Sequence, residues 1–374
     1  MLRWNLSASA FCGLGLICCD SLPAQTPTPG VDSIYTGAGG DRFGYRIESA
    51  DLNADGVDDL VVGAPHQSGG NMVYVFFGPV QLPSGPELPV SAADVEIEGP
   101  PGSETGWSLA TGDVVAGNED DLIIGAPVLG GSDGAVHVFA GPIAPGHYTT
   151  AMADLTVEGH RRGYAGWAVT AGDFDRDGKD ELCVGAPTAG NLGSQVGEVY
   201  VMDVDTAIGP KISTSTATCT LLGVGVTGTA MCNGGDINGD GFEDLLVGSY
   251  GAAMTSGHSF GGTVHLVYGR SSFRPSYDLK FSVISGIANI NGEFDGHNVG
   301  YAVAPAGDVN RDGYDDFLIG APGFLLGSEP GGVEDAGSAY LVLGARDLIG
   351  TPQLYGDHRV GTVADLIFVG SGIG

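Results

Sequence analysis

Four short segments of the chain carry an oxygen-bearing side chain at every second residue: DLNADGVDD from Asp51, DFDRDGKDE from Asp173, DINGDGFED from Asp236 and DVNRDGYDD from Asp308. Each places carboxylate or carboxamide oxygens at positions 1, 3, 5 and 9, with glycine at position 6. Acids packed this closely repel one another unless a cation sits among them. Hard divalent ions such as calcium take six to eight oxygens from a flexible, turning loop. The expected ligands are therefore Asp51, Asn53, Asp55 and Asp59; Asp173, Asp175, Asp177 and Glu181; Asp236, Asn238, Asp240 and Asp244; and Asp308, Asn310, Asp312 and Asp316. The backbone carbonyl at position 7 (Val57, Lys179, Phe242, Tyr314) fills a further place. A helix-loop-helix calcium hand shares the first positions but closes with Glu at position 12, where this chain has Val62, Val184, Val247 and Ile319. Two more segments keep only their ends. Asp113 and Asp121 enclose Val115 and Gly117, and Asp357 and Asp365 enclose Arg359 and Gly361, so neither should hold calcium well. About four structural Ca2+ sites are expected, and at ten times its dissociation constant each ion would add about 1.4 kcal/mol to stability.

The loops mark a repeat. Their leading aspartates, with Asp113 in its place, are 62, 60, 63 and 72 residues apart. Within each copy a short strand leads into the polar loop, which is followed by an apolar strand, a GAP-like turn and a β-branched or aromatic run such as MVYVFFG at Met72 or TVHLVYG at Thr263. A further short strand precedes each copy, as in Val95–Gly99. Four antiparallel strands per copy is the composition of a propeller blade, which must stack on its neighbours to bury both faces. The expected fold is all-β, a β-propeller with repeats near 31–78, 95–141, 155–203, 219–269 and 281–344 and a partial copy at 345–374. Six blades closed by Asp32–Gly37, or an incomplete seven, both satisfy this pattern.

Composition narrows the function. With 14 Lys and Arg against 45 Asp and Glu, the formal charge of −31 argues against nucleic acid as a partner. The 66 glycines follow no three-residue period, which excludes collagen. Residues 1–24 read as an export signal, with Arg3, an apolar Leu6–Cys19 stretch and a small residue at Ala24, and 25–30 as a linker. A buried first strand and acylation of Cys18 or Cys19 are the alternatives. No later run reaches the length of a membrane span. The mature chain would keep Cys183, Cys219 and Cys232, too few for a disulfide framework, although Cys219 and Cys232 could pair. Cys183 stands where other copies have a core valine or isoleucine. The expected location is secreted or cell-surface, extracellular or periplasmic.

These residues resemble the FG-GAP repeat, the unit of the seven-repeat β-propeller at the head of integrin α chains and of related bacterial exported proteins. Phe43-Gly44 and Gly63-Ala64-Pro65 match both halves of the name, and GAP recurs at Gly125, Gly185 and Gly320. The resemblance implies an extracellular recognition or adhesion scaffold that binds a protein or glycan, with calcium at the loop positions above and no reaction. The alternatives are a hydrolase or lyase, phospholipase-like, and a fragment of a larger surface assembly.

Other motifs carry less. Gly257-His258-Ser259-Phe260-Gly261 fits a nucleophile pattern but lacks the strand-to-helix setting that pattern needs. Gly223–Gly228 fits a dinucleotide pattern with no helix after it. His137 and His265 share a repeat position with Tyr74, Tyr200 and Tyr340, and Trp107 and Trp167 share another; both read as packing positions. The stretch Ile287–Asn298 reads as an inserted contact loop.

Overall fold

Strands form where the sequence alternates or runs apolar in blocks of four to six residues, and tight polar turns separate them. The computed structural model describes residues 34–36, 42–66, 71–79, 87–115, 117–190, 197–204, 209–251, 261–280, 287–323, 337–345 and 356–369. The export segment, the linker, His258 and Ser259 lie outside these residues.

The chain is all-β, built as a propeller of five described blades. The first blade runs β2 (Arg46–Ala50), β3 (Asp59–Ala64), β4 (Asn71–Phe76) and β6 (Val95–Gly99) from the axis outward. The second repeats this order with β7 (Ser108–Gly112), β8 (Asp121–Ala126), β9 (Ala135–Phe139) and β11 (Leu155–Glu158). The third has β12 (Ala168–Gly172), β13 (Glu181–Ala186), β14 (Glu198–Met202) and β16 (Cys219–Leu222), and the fourth has β17 (Ala230–Asn233), β18 (Leu245–Ser249), β19 (Thr263–Val267) and β21 (Ile287–Asn291). The fifth has β22 (Ala302–Gly307), β23 (Asp316–Ala321), β24 (Ser338–Val342) and β26 (Leu366–Val369).

A fifth strand extends four of these sheets. β10 (Gly146–Thr149), β15 (Lys211–Ser213), β20 (Ser276–Asp278) and β25 (Gly356–Arg359) pair in parallel with β6, β11, β16 and β21. The same parallel pairing joins β1 (Ile34–Thr36) to β5 (Glu87–Pro89).

Two expectations about boundaries change. The short strand before each anchor closes the preceding sheet: Val95–Gly99 pairs antiparallel with β4. For the same reason the described residues of the last segment, 356–369, form no partial sixth copy. Leu366–Val369 is the outermost strand of the fifth blade, paired with β24. Asp365 accepts the Leu343 N–H at 2.9 Å, as Asp94 and Asp154 accept those of Phe77 and Ala140. Ile287–Asn298 is also corrected, because Ile287–Asn291 is the buried outer strand of the fourth blade, flanked by β19 and β25.

The core lies between blades. One apolar layer combines Ile123, Val136 and Val157 of the second blade with Val169, Leu182 and Val184 of the third, and equivalent layers fill the other junctions. This is why the third strand of the first four blades is buried along its whole length. Cys183 and Cys219 are buried in such a layer, and none of the three described cysteines is in a disulfide, so the Cys219–Cys232 bridge does not form.

Candidate metal centres

The complete loops share one geometry. In the first, the N–H of Asp55 donates to Asp51 Oδ1 at 3.0 Å and to Asn53 Oδ1 at 2.9 Å. The N–H of Gly56 donates to Asp51 Oδ2 at 2.7 Å, and that of Val57 to Asp55 Oδ1 at 2.9 Å. The same four bonds recur in the loops from Asp173, Asp236 and Asp308. They turn the side chains of positions 1, 3 and 5 toward one point. In the third blade, oxygens of Asp173, Asp175 and Asp177 lie within 4.8 Å of one another, a separation that a cation with ligand distances of about 2.4 Å would bridge.

The turn needs left-handed backbone twice. Gly56, Gly178, Gly241 and Gly313 have φ of 85–93° at position 6, as expected. Position 4 is left-handed too, and there the chain uses Ala54, Arg176, Gly239 and Arg311, with φ of 60–72°. Bulky residues in that region are strained, so the loop's own hydrogen bonds must hold them.

Position 9 does a different job from the others. Asp59 is buried, with Oδ2 accepting the Leu52 N–H at 3.0 Å and Oδ1 the Gly78 N–H at 2.8 Å. Asp244 and Asp316 make the equivalent pairs with Ile237 and Gly269, and with Val309 and Gly344. This carboxylate thus ties the loop to the end of the third strand. Burial, reinforced by the neighbouring acids, raises Glu181 and Asp244 to about 8. A divalent cation among positions 1, 3 and 5 would offset that repulsion, so the donor set suits calcium.

Position 8 was not singled out by the sequence pattern, yet it joins blades. Asp180 Oδ2 accepts the N–H of Asp113, Glu243 Oε2 that of Asp173 and Asp315 Oδ2 that of Asp236, at 2.9–3.0 Å. In each pair an acid of one blade holds the first residue of the preceding blade's loop. The signal was present as an acid at position 8 of all five loops (Asp58, Asp120, Asp180, Glu243, Asp315).

The incomplete second loop retains the position-9 tie through Asp121, which accepts the N–H groups of Val114, Val115 and Gly141. In the last segment, Arg359 ends β25 and Asp365 leads into β26, so no loop of this kind forms there.

The opposite end of the innermost strands is aromatic. Tyr45, Trp107, Trp167 and Tyr301 each directly precede one of these strands. Ring centroids are 4.8 Å apart for Tyr45 and Trp107, and 4.9 Å for Trp107 and Trp167; Tyr250 packs on Tyr301 at 5.2 Å. Tyr45 and Tyr301 are 40 % and 44 % exposed. Below these rings, residues of all five innermost strands, including Glu48, Thr111, Thr170, Asn233 and Pro305, line a cavity of about 340 Å³. His137 and His265 are buried on their strands, in line with the packing role expected of them.

Comparison with known proteins agrees with this architecture. The FG-GAP repeat model matches residues 43–76, 165–202, 227–267 and 299–342. The second blade, with the incomplete loop, falls outside the matched segments. Human phosphatidylinositol-glycan-specific phospholipase D is 28 % identical over 338 residues, covering 78 % of this chain and 37 % of that protein. Mouse integrin alpha-IIb is 30 % identical over 236 residues, 58 % of this chain and 20 % of the integrin. Integrin alpha pat-2 of Caenorhabditis briggsae is 30 % identical over 230 residues, 56 % and 18 % of the two chains. The chain thus spans less than two-fifths of the length of these relatives. Among the described residues no helix is long and apolar enough to cross a membrane. By its matched segments, its blade architecture and its recurring loops, the chain carries four FG-GAP repeats and is similar to integrin alpha chains.

Proposed function

We propose that this chain is a calcium-stabilised, non-catalytic scaffold that works outside the cell and recognises a protein or glycan through the aromatic end of its axis. The observation that carries the reading is the row of partly exposed rings from Tyr45 through Trp107 to Trp167. Aromatic side chains offer a large apolar contact area at small entropic cost, which suits them to binding surfaces. The acidic loops lie at the far end of the same strands, where a bound ion would hold the blades in register without touching the ligand. Relatives named as integrins support an extracellular setting.

A screen of the purified protein against glycans and cell-surface proteins tests the reading, with Trp107→Ala and Trp167→Ala as controls. The expected result is a ligand whose affinity falls at least tenfold in either variant while calcium still raises the melting temperature. Binding that ignores both substitutions would remove the aromatic end from the account. A phospholipase-like activity is the second reading, favoured by the match to phospholipase D. Turnover of phosphatidylinositol-glycan by the purified chain would replace the first reading with this one.

A further inference from the structure

We propose that the second acidic loop is a cation site filled by the protein's own ammonium group, Lys179 Nζ, where the other four loops are built for a metal. Lys179 belongs to the third blade, yet its Nζ donates to Asp113 Oδ1 and Oδ2 at 2.7 and 2.6 Å and to the carbonyl of Gly117. Asp113 is position 1 of the second loop, and Gly117 is position 5, so the carbonyl stands in for the carboxylate that complete loops carry there. An ammonium has three N–H donors and no more. Three acceptors meet it, and the site is saturated. Both side chains are 24 % exposed, so the pair is shielded from solvent.

The sequence places the lysine only where it is needed. Position 7 of each loop stands beside the preceding blade. Phe242 and Tyr314 occupy it after the complete third and fourth loops, and Glu119 after the complete first; Lys179 follows the incomplete second. Its backbone is fixed by the third loop, because the Lys179 N–H donates to Asp177 Oδ1 at 3.0 Å. Asp180 adds the next bond of the same junction: its own N–H donates to the Asp113 carbonyl at 3.0 Å, and its carboxylate accepts the Asp113 N–H. The junction of the second and third blades is therefore held by a tethered cation that neither chelator nor dialysis removes.

This inference rests on the calcium reading only for the comparison with complete loops, and its test is separate. Three measurements decide it. In the unmutated protein with chelator present, an amine-reactive reagent followed by mass spectrometry should label Lys179 at least tenfold more slowly than the exposed Lys211 and Lys280. Lys179→Met, which keeps the stem and removes the charge, should lower the melting temperature by about 2–4 °C in chelator and in calcium chloride alike. Restoring the loop with Val115→Asn, Gly117→Asp and Asn118→Gly should add one calcium per chain only when Lys179→Met is also present. Labelling of Lys179 as fast as Lys211, an unchanged melting temperature, or an extra calcium bound with Lys179 in place would each overturn the proposal. If the unmutated protein takes up no calcium at all, the calcium reading falls while the labelling and melting results still stand for this one.

Discussion

At the scale of single residues, the glycine in four of the five GAP-like turns is explained by its neighbour in the next blade. A Cβ added to Gly63, Gly125, Gly185 or Gly248 would lie 2.2–2.4 Å from the carbonyl oxygen of Gly106, Gly166, Gly228 or Gly300. Backbone touches backbone there, and no side chain can yield. Gly185→Ala should therefore cost about 2–3 kcal/mol in urea unfolding. Gly320, whose added Cβ meets nothing closer than Ala302 Cβ at 3.3 Å, should tolerate the same change at under about 1 kcal/mol. Equal losses at both positions would refute the inter-blade explanation. His137 offers a second test. Burial, with a smaller effect of Lys211, lowers its pKa to about 4. The folded value lies below the unfolded one near 6.5, so the stability it leaves intact at neutral pH is lost as pH falls from there toward 4. His137→Tyr, which installs the residue that Tyr74, Tyr200 and Tyr340 supply in other blades, should flatten this dependence by up to about 1.4 kcal/mol per pH unit. Melting temperatures across pH 4–7 measure it.

At the scale of elements, neighbouring acids in one loop perform separable tasks. Position 5 accepts the backbone N–H at position 7 and belongs to the proposed ion set, whereas position 8 accepts a backbone N–H across the blade junction. Asp312→Ala should thus lower the melting temperature in calcium and have little effect in chelator. Asp315→Ala should cost about 1 kcal/mol under both conditions, since a partly buried hydrogen bond is lost with or without metal. Matching responses of the two variants would show that the division is wrong. The sequence made the turn of the loop legible and hid the contact across the junction. Alternating oxygens with glycine at position 6 state their chemistry within nine residues, while the partner of Asp315 is Asp236, in another loop. The outer strands were obscured similarly. Val95–Gly99 lies close in sequence to the following anchor, so proximity alone assigns it to that copy, although its hydrogen bonds run to the preceding sheet. The recurring ADVEIEG, ADLTVEG and ADLIFVG would have placed Leu366–Val369 with them.

At the scale of the whole molecule, four of the five apolar clusters lie between sheets, and the fifth, around Val62, Tyr74 and Phe76, packs on the first blade, so the blades are coupled across their junctions. Calorimetry should show one unfolding transition that calcium shifts upward as a unit; two separated peaks would mean that the junctions are independent. The repeat, the strand order and the acidic loops were readable because they recur along one chain. Lys179 and the aromatic end were not, because each depends on which blades stand side by side.

The parallel fifth strands carry one more consequence. The span 146–202 begins with β10 on the first sheet, adds β11 to the second and then supplies three strands of the third. One stretch of polypeptide is thereby woven through three successive sheets, like a thread through overlapping scales. Cleaving the chain between Val204 and Gly209 would leave β15 seated on β11 and β16 on β14. The two halves should still travel together through a gel-filtration column, parting only when a denaturant unpicks the weave.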